Sequence, residues 1–210
     1  MGQLNCCPIY SMPKEEQKKI TETTGFPKNR VYKLFRKFET LDTSRKRYLC
    51  KADMAPKMDF SETSLAPLVL DAFFFPPWNL DPKTAPLANV TFEHFCQVFS
   101  LFQPHHKQEN WKEDENYDKY ASVFLFRMLT QGDHDYVTLE DIGKIAAFVH
   151  SDNNGISEFA QEAYDKVLYE IQPEKLDFDN FVTLCEKFNL ILNIRQIICV
   201  QLGNLLKYCA

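Results

Sequence analysis

A chain of 210 residues is long enough for one large domain or two small lobes, with a buried core that needs no disulfides. Its 24 Lys and Arg stand against 29 Asp and Glu, a net charge of -5, which argues against the basic footprint of a non-specific nucleic-acid binder. With 18 Phe and only 6 Gly, the composition favours helices around an aromatic core over a turn-rich β-sandwich.

The first residues, "MGQLNCCPIY", contain no apolar stretch of a secretory signal, and no run approaches the ~20 apolar residues of a membrane span. Residues 1–25 read as an N-terminal segment. From there Val31, Leu34, Phe35, Phe38 and Leu41 follow the i, i+3, i+4, i+7 stripe of an amphipathic helix. Phe92, Phe95 and Phe99 open a second such helix, reached through the Pro-rich stretch "FFFPPWNLDPKTAPLAN". Asn89 begins an N-x-T acceptor sequence that stays unused in an intracellular chain.

Residues 104–118 form a charged linker. His105 and His106 within it are adjacent, so their rings diverge, and no third ligand has metal spacing; Trp111 is its candidate anchor. Beyond it, residues 119–129 present Tyr120, Val123, Phe124 and Met128, and residues 158–171 present Phe159, Ala163, Val167, Leu168 and Ile171. Phe178, Phe181 and Cys185 begin another helix, and residues 190–210 are an apolar tail carrying Leu190, Ile191, Ile194, Ile197 and Ile198.

The cysteines are Cys6, Cys7, Cys50, Cys96, Cys185, Cys199 and Cys209. Their number is odd and no C-x-x-C pair occurs, so neither a disulfide framework nor a zinc knuckle is indicated, and a reducing cytosol fits.

One pattern recurs through these helices. An apolar residue is followed five positions later by another at Leu49 and Met54, Val90 and Phe95, Val137 and Ile142, and Leu176 and Phe181; the first members lie 41, 47 and 39 residues apart. In an EF-hand the eighth loop residue is apolar and pairs with its partner loop, and the residue after the twelfth starts the core face of the outgoing helix. The spacing therefore predicts an all-α fold of four EF-hand-like helix–loop–helix units paired into two lobes, residues 26–103 and 119–189, with short β-bridges between paired loops.

That register scores each loop for calcium. A working loop places oxygen ligands at positions 1, 3, 5 and 9, Gly at 6 and a bidentate Glu at 12. Loop one, Asp42 to Asp53, has Asp42 and Ser44 at positions 1 and 3 but Lys46 at 5 and Arg47 at 6, after Arg45. Loop two contains the Pro-rich insertion and has His94 at position 12. Loop four, "EIQPEKLDFDN", is too short, contains Pro173 and ends in Asn180.

Loop three is the least degraded, with Thr130, Gly132 and His134 at positions 1, 3 and 5 and Asp141 at 12, while Asp133 and Asp135 fall on positions that point away from an ion. "SDNNGIS", residues 151–157, mimics a calcium loop but has no frame with both an apolar eighth residue and an acidic twelfth. The expectation is that no cofactor is required and calcium is not bound tightly, with Asp133, Asp135 and Asp141 as weak metal candidates.

The segments "KKITETTGFPKNRVYKLFRKFETLD", "LDAFF", "VTFEHFCQVFSLFQP", "VTLEDI" and "LDFDNFVTLCEKFNL" resemble the calcineurin B homologous proteins over nearly the whole chain. The resemblance implies a cytosolic, membrane-associated EF-hand protein without enzymatic activity. It implies a partner as well: the amphipathic juxtamembrane helix of a plasma-membrane sodium/proton exchanger or, alternatively, the phosphatase calcineurin, which some members inhibit. A further alternative is a sensor that keeps weak calcium binding in the third hand.

The family carries myristoyl on Gly2. Here Cys6 stands where the acylation pattern prefers Ser or Thr, and Cys6 and Cys7 are candidates for palmitoyl. A partner helix needs an apolar trough, and Leu190, Ile191, Ile194, Ile197 and Ile198 are the candidates to line it or to occupy it until displaced. No nucleophile–base pair or phosphate-binding glycine loop points to an enzyme.

Overall fold

The structure, a computed structural model, describes residues 12–58, 65–102, 117–131, 134–150, 165–167, 169, 175–188, 190 and 198. Among them, short helices alternate with two-residue strands. α1 (Lys14–Thr24) ends where Gly25, at φ 69°, donates its N–H to the Thr21 carbonyl, a left-handed helix stop that glycine adopts without strain. Pro27 then permits immediate re-entry into α2 (Lys28–Leu41), because a proline fits just ahead of a first turn that needs no donor there.

β1 (Tyr48–Leu49) leads to α3 (Lys51–Met54), which tightens into a 3-10 turn at Ala55–Lys57. α4 (Ala66–Phe73) and, after a long insertion, β2 (Val90–Thr91) and α5 (Phe92–Phe102) complete the first pair of hands. The second pair comprises α6 (Tyr117–Thr130), β3 (Val137–Thr138), α7 (Leu139–His150), helical residues at 165–167 and 169, β4 (Lys175–Leu176) and α8 (Phe178–Lys187).

β1 pairs antiparallel with β2, setting Leu49 opposite Val90, and β3 pairs with β4, setting Val137 opposite Leu176. These are the four apolar eighth positions of the sequence register. Leu49, Val90 and Val137 are fully buried and Leu176 nearly so. The fold is all-α and EF-hand-like, and among the described residues strands occur only as these bridges. Residues 104–116 of the charged linker, with His105, His106 and Trp111, and "SDNNGIS" lie outside the described residues, while its last two residues, Tyr117 and Asp118, begin α6.

The core follows from the helix stripes. The face of α2 formed by Val31, Leu34, Phe35, Phe38 and Leu41 is buried, and its rings meet α5 edge-on, Phe38 lying 5.5 Å from Phe92 and 5.6 Å from Phe95. Phe73 of α4 adds edge contacts to Phe95 and Phe99. Such T-shaped pairs add about 0.5–1.5 kcal/mol each beyond the area they bury. In the second pair of hands Phe126 of α6 meets Phe178 and Phe181 in the same manner. Phe102 and Phe124 meet edge-on across the seam between α5 and α6, so one apolar cluster runs through both pairs of hands.

The insertion before the second hand is ordered by its own polar side chains. Asn79 accepts the Asp81 N–H, Asp81 accepts the Lys83 N–H, and the Leu87 N–H reaches back to the Phe74 carbonyl. Arg127 then fixes this loop to the third hand. Its side chain is almost fully buried, donates to the carbonyls of Pro76 and Asp81, and lies 4.9 Å from the Phe75 ring. Trp78 packs edge-on against Tyr120 of α6 beside it. Burial pulls the Arg127 guanidinium down to about 10, with Asp81 acting against it, so the group stays charged at neutral pH.

The bridges are expected to be costly to weaken. Leu49→Ala leaves a cavity at a fully buried site and should lower stability by about 2–5 kcal/mol, read as a shift of the urea midpoint with unchanged slope. A loss below about 0.5 kcal/mol would show that the bridge is peripheral.

Candidate functional site

The four loops and the apolar tail are the regions with functional potential, and the loops share a device at positions 9 and 12. In loop one the Cys50 N–H donates to Asp53 Oδ2 at 2.8 Å, with the returning bond from Asp53 completing a capping box for α3. In loop two the His94 N–H donates to Thr91 Oγ1. In loop three the N–H and hydroxyl of Thr138 both reach Asp141 Oδ2, at 3.0 and 2.6 Å, while the Asp141 N–H donates to Thr138 Oγ1. In loop four the Asn180 N–H donates to Asp177 Oδ1. The twelfth residue of a calcium loop turns its carboxylate to the ion; here positions 9 and 12 cap the outgoing helix.

Loop one adds a second substitution. Asp42, at position 1, accepts the backbone N–H groups of Lys46 and Arg47 at 2.9 and 2.6 Å. The Lys46 ammonium, at position 5, donates to Asp53 Oδ2 at 2.7 Å. A protein cation therefore rests against the acid of position 12. Burial works to raise the Asp53 carboxyl, but the bonds from Cys50 and Lys46 outweigh it and hold it below its ordinary value, while the same contact raises Lys46. Arg45 and Arg47 are at φ 55° and 67°. The sixth position thus keeps the left-handed backbone for which a calcium loop uses glycine, but with an arginine.

In loop three, Asp135 faces outward and pairs with Lys83 of the insertion at 2.9 Å, both side chains being exposed. Asp141 is committed to Thr138 and, through Oδ1, to Lys144 at 3.0 Å. Burial again pushes its carboxyl up, but the bonds from Thr138 and Lys144 win and hold it low. Asp133 lies outside the described residues. Among those described, no three His, Cys, Asp or Glu side chains are grouped to hold a metal.

His94 replaces the acid of position 12 in loop two. It is buried, and its Nε2 lies 2.8 Å from the Phe73 carbonyl, tying α5 to the end of α4. Burial drives its imidazole down to about 4, against the smaller opposing effect of the Phe73 bond. The free thiols of Cys96 and Cys185 are buried and pushed upward, mainly by that burial.

Of the tail residues, Leu190 and Ile198 are buried in the same apolar cluster as the helices, while Ile191, Ile194 and Ile197 lie outside the described residues, as do Gly2, Cys6 and Cys7. No described helix is long and apolar enough to cross a membrane.

No protein-family model matches the chain. The chain is similar to calcineurin B homologous protein 3 of Gallus gallus, 27% identical over 139 residues that cover 66% of this chain and 64% of that protein. It is also similar to calcineurin B homologous protein 3 of Xenopus laevis, 25% identical over 198 residues covering 83% of this chain and 87% of the relative. Both relatives are named as homologues of calcineurin B, a likeness that accords with the paired helix–loop–helix hands described above.

Two consequences are measurable. His94 takes up a proton in the unfolded chain near its ordinary value but in the folded chain only at about 4, so its contribution is complete at neutral pH and lost as pH falls through that window. Between pH 7 and pH 5 it should cost the wild type about 2 kcal/mol that His94→Gln, which keeps a donor without titrating, does not lose. Parallel pH profiles for the two proteins would refute this. Arg47→Gly, which relieves the left-handed backbone, should stabilise the chain by up to about 1 kcal/mol in urea unfolding; destabilisation would show that the arginine side chain matters more than its strain.

Proposed function

We propose that this chain is a non-enzymatic adaptor that clamps an amphipathic helix of a target, and that it does so without calcium. The observation carrying this reading is the Lys46 ammonium on Asp53: the position that would close on an ion closes on a protein cation. The helix caps of loops two, three and four extend the same logic, since each shapes its loop end with protein groups. On this reading loop three is structural, its Asp141 a cap and its Asp135 a tether to the insertion.

The resemblance to the calcineurin B homologous proteins supports the choice of target, the juxtamembrane helix of a plasma-membrane sodium/proton exchanger. The insertion "NLDPKTAPLANVTFEHF" and the ending "KYCA" suggest a tescalcin-like member. The placement of Leu190 and Ile198 among core residues fits a tail that occupies the protein's own trough and yields it to a partner. The protein would then act in the cytoplasm at the plasma-membrane face, with Gly2 acylated and Cys6 or Cys7 as a further lipid site.

Immobilised peptides test this directly. The exchanger's juxtamembrane helix should retain the full chain equally in calcium and in chelator. Retention by a calcineurin catalytic-subunit helix alone would transfer the activity to phosphatase regulation, and loss of binding in chelator would make the third hand a weak calcium sensor.

A further inference from the structure

Charge is distributed very unevenly along this acidic chain. Residues 28–51, which comprise α2, the first loop and the start of α3, hold nine of the 24 cations and two of the 29 acids; the remainder has 15 cations against 27 acids. The fold keeps this charge at the surface. On α2 the buried stripe occupies one side, so Lys33 and Arg36 fall on the outward side with Tyr32, which is 52% exposed, and the half-buried Lys37 lies at the edge of that side. Past the end of α2 the exposed Arg45 follows, and then Tyr48, 38% exposed with the Lys46 ammonium 5.1 Å from its ring. Among the described residues Arg36 pairs with Glu39, Lys46 with Asp53 and Lys51 with Asp71. Among the described residues, no ion pair engages Lys28, Lys33, Lys37 or Arg45.

We propose that this outward face of the first hand is a docking surface for an anionic phospholipid bilayer. Three features favour a bilayer over an acidic protein or a nucleic acid. The cations lie on the outer side of a helix and the loop that follows it, a surface that a flat partner can meet. Exposed tyrosines lie among them, and a tyrosine has an apolar ring for the headgroup boundary and a hydroxyl for water. The rest of the chain carries a net excess of acids, so an anionic sheet attracts this face and repels the others, which fixes orientation as well as affinity. Residues 1–11, which carry the acylation candidates, precede α1, and α1 packs on α2. A single acyl chain anchors only marginally, and a basic patch is one of the second signals that stabilise it.

The test uses the full chain produced without acylation and vesicles of phosphatidylcholine with or without phosphatidylserine. Binding should require phosphatidylserine and weaken as salt rises. Lys33→Glu with Lys37→Glu should lower vesicle partitioning by at least about tenfold, since each cation at such a surface contributes roughly a fivefold factor. Lys119→Glu with Lys187→Glu changes net charge equally on exposed positions elsewhere and should leave binding nearly intact. Circular dichroism of each variant confirms that it is folded.

No phosphatidylserine-dependent binding by the folded wild type would overturn the proposal, and so would equal losses in the two double variants. Retention on polyglutamate or duplex DNA through Lys33 and Lys37, with none on vesicles, would likewise overturn it in favour of an acidic macromolecule. The readout contains no peptide, so it stands or falls independently of the target helix.

Discussion

Two minimal β-bridges hold the architecture together. Each joins a pair of loops through a single opposed pair of apolar residues, Leu49 with Val90 and Val137 with Leu176. An isolated ladder of two residues has negligible stability of its own. These survive because their side chains are buried under the incoming and outgoing helices, so the bridge and the aromatic core stabilise one another. Once the bridges are set, the direction of each outgoing helix follows, and with it the meeting of Phe38 with Phe92 and of Phe126 with Phe181.

In a metal-loaded hand the ion joins the two ends of the loop. In loop one, groups of the chain also connect the two ends. Asp42 gathers two backbone amides at one end of loop one, Asp53 caps α3 at the other, and Lys46 contributes the positive charge near them. The insertion of the second hand adds a constraint between the pairs of hands, for Arg127 holds two of its carbonyls and Lys83 reaches Asp135 in loop three. A buried guanidinium with few partners is costly to maintain. Its position at the seam suits a role in setting how the insertion lies on α6.

Much of this was legible from periodicity. The apolar pairs five residues apart located all four bridge positions, and the i, i+3, i+4 stripes located α2, α5 and α6, because burial of an amphipathic face depends on spacing alone. Asp141 read as a weak metal candidate, yet Thr138 three residues before it is equally a capping signature, and spacing does not separate the two uses of one carboxylate. The Lys46–Asp53 contact was not legible, since it depends on arginines held at positive φ, where glycine is the usual resident. Arg127 was missed for a different reason. A cation in the last turn of a helix normally reaches solvent, and the carbonyls that bury it come from residues about fifty positions away. The acylation candidates Gly2, Cys6 and Cys7, and three of the five tail residues, fall outside the described residues, so the sequence remains the ground for them.

On the proposed reading, protein groups take over the ion's part in these loops. Thermal unfolding of the unmodified chain in millimolar calcium and in chelator tests it most directly, because a ligand bound only to the folded state stabilises it by RT ln(1 + [L]/Kd) and so raises the melting temperature with concentration. The account predicts superimposable melts. A melting temperature several degrees higher in calcium, and rising further with calcium concentration, would contradict it.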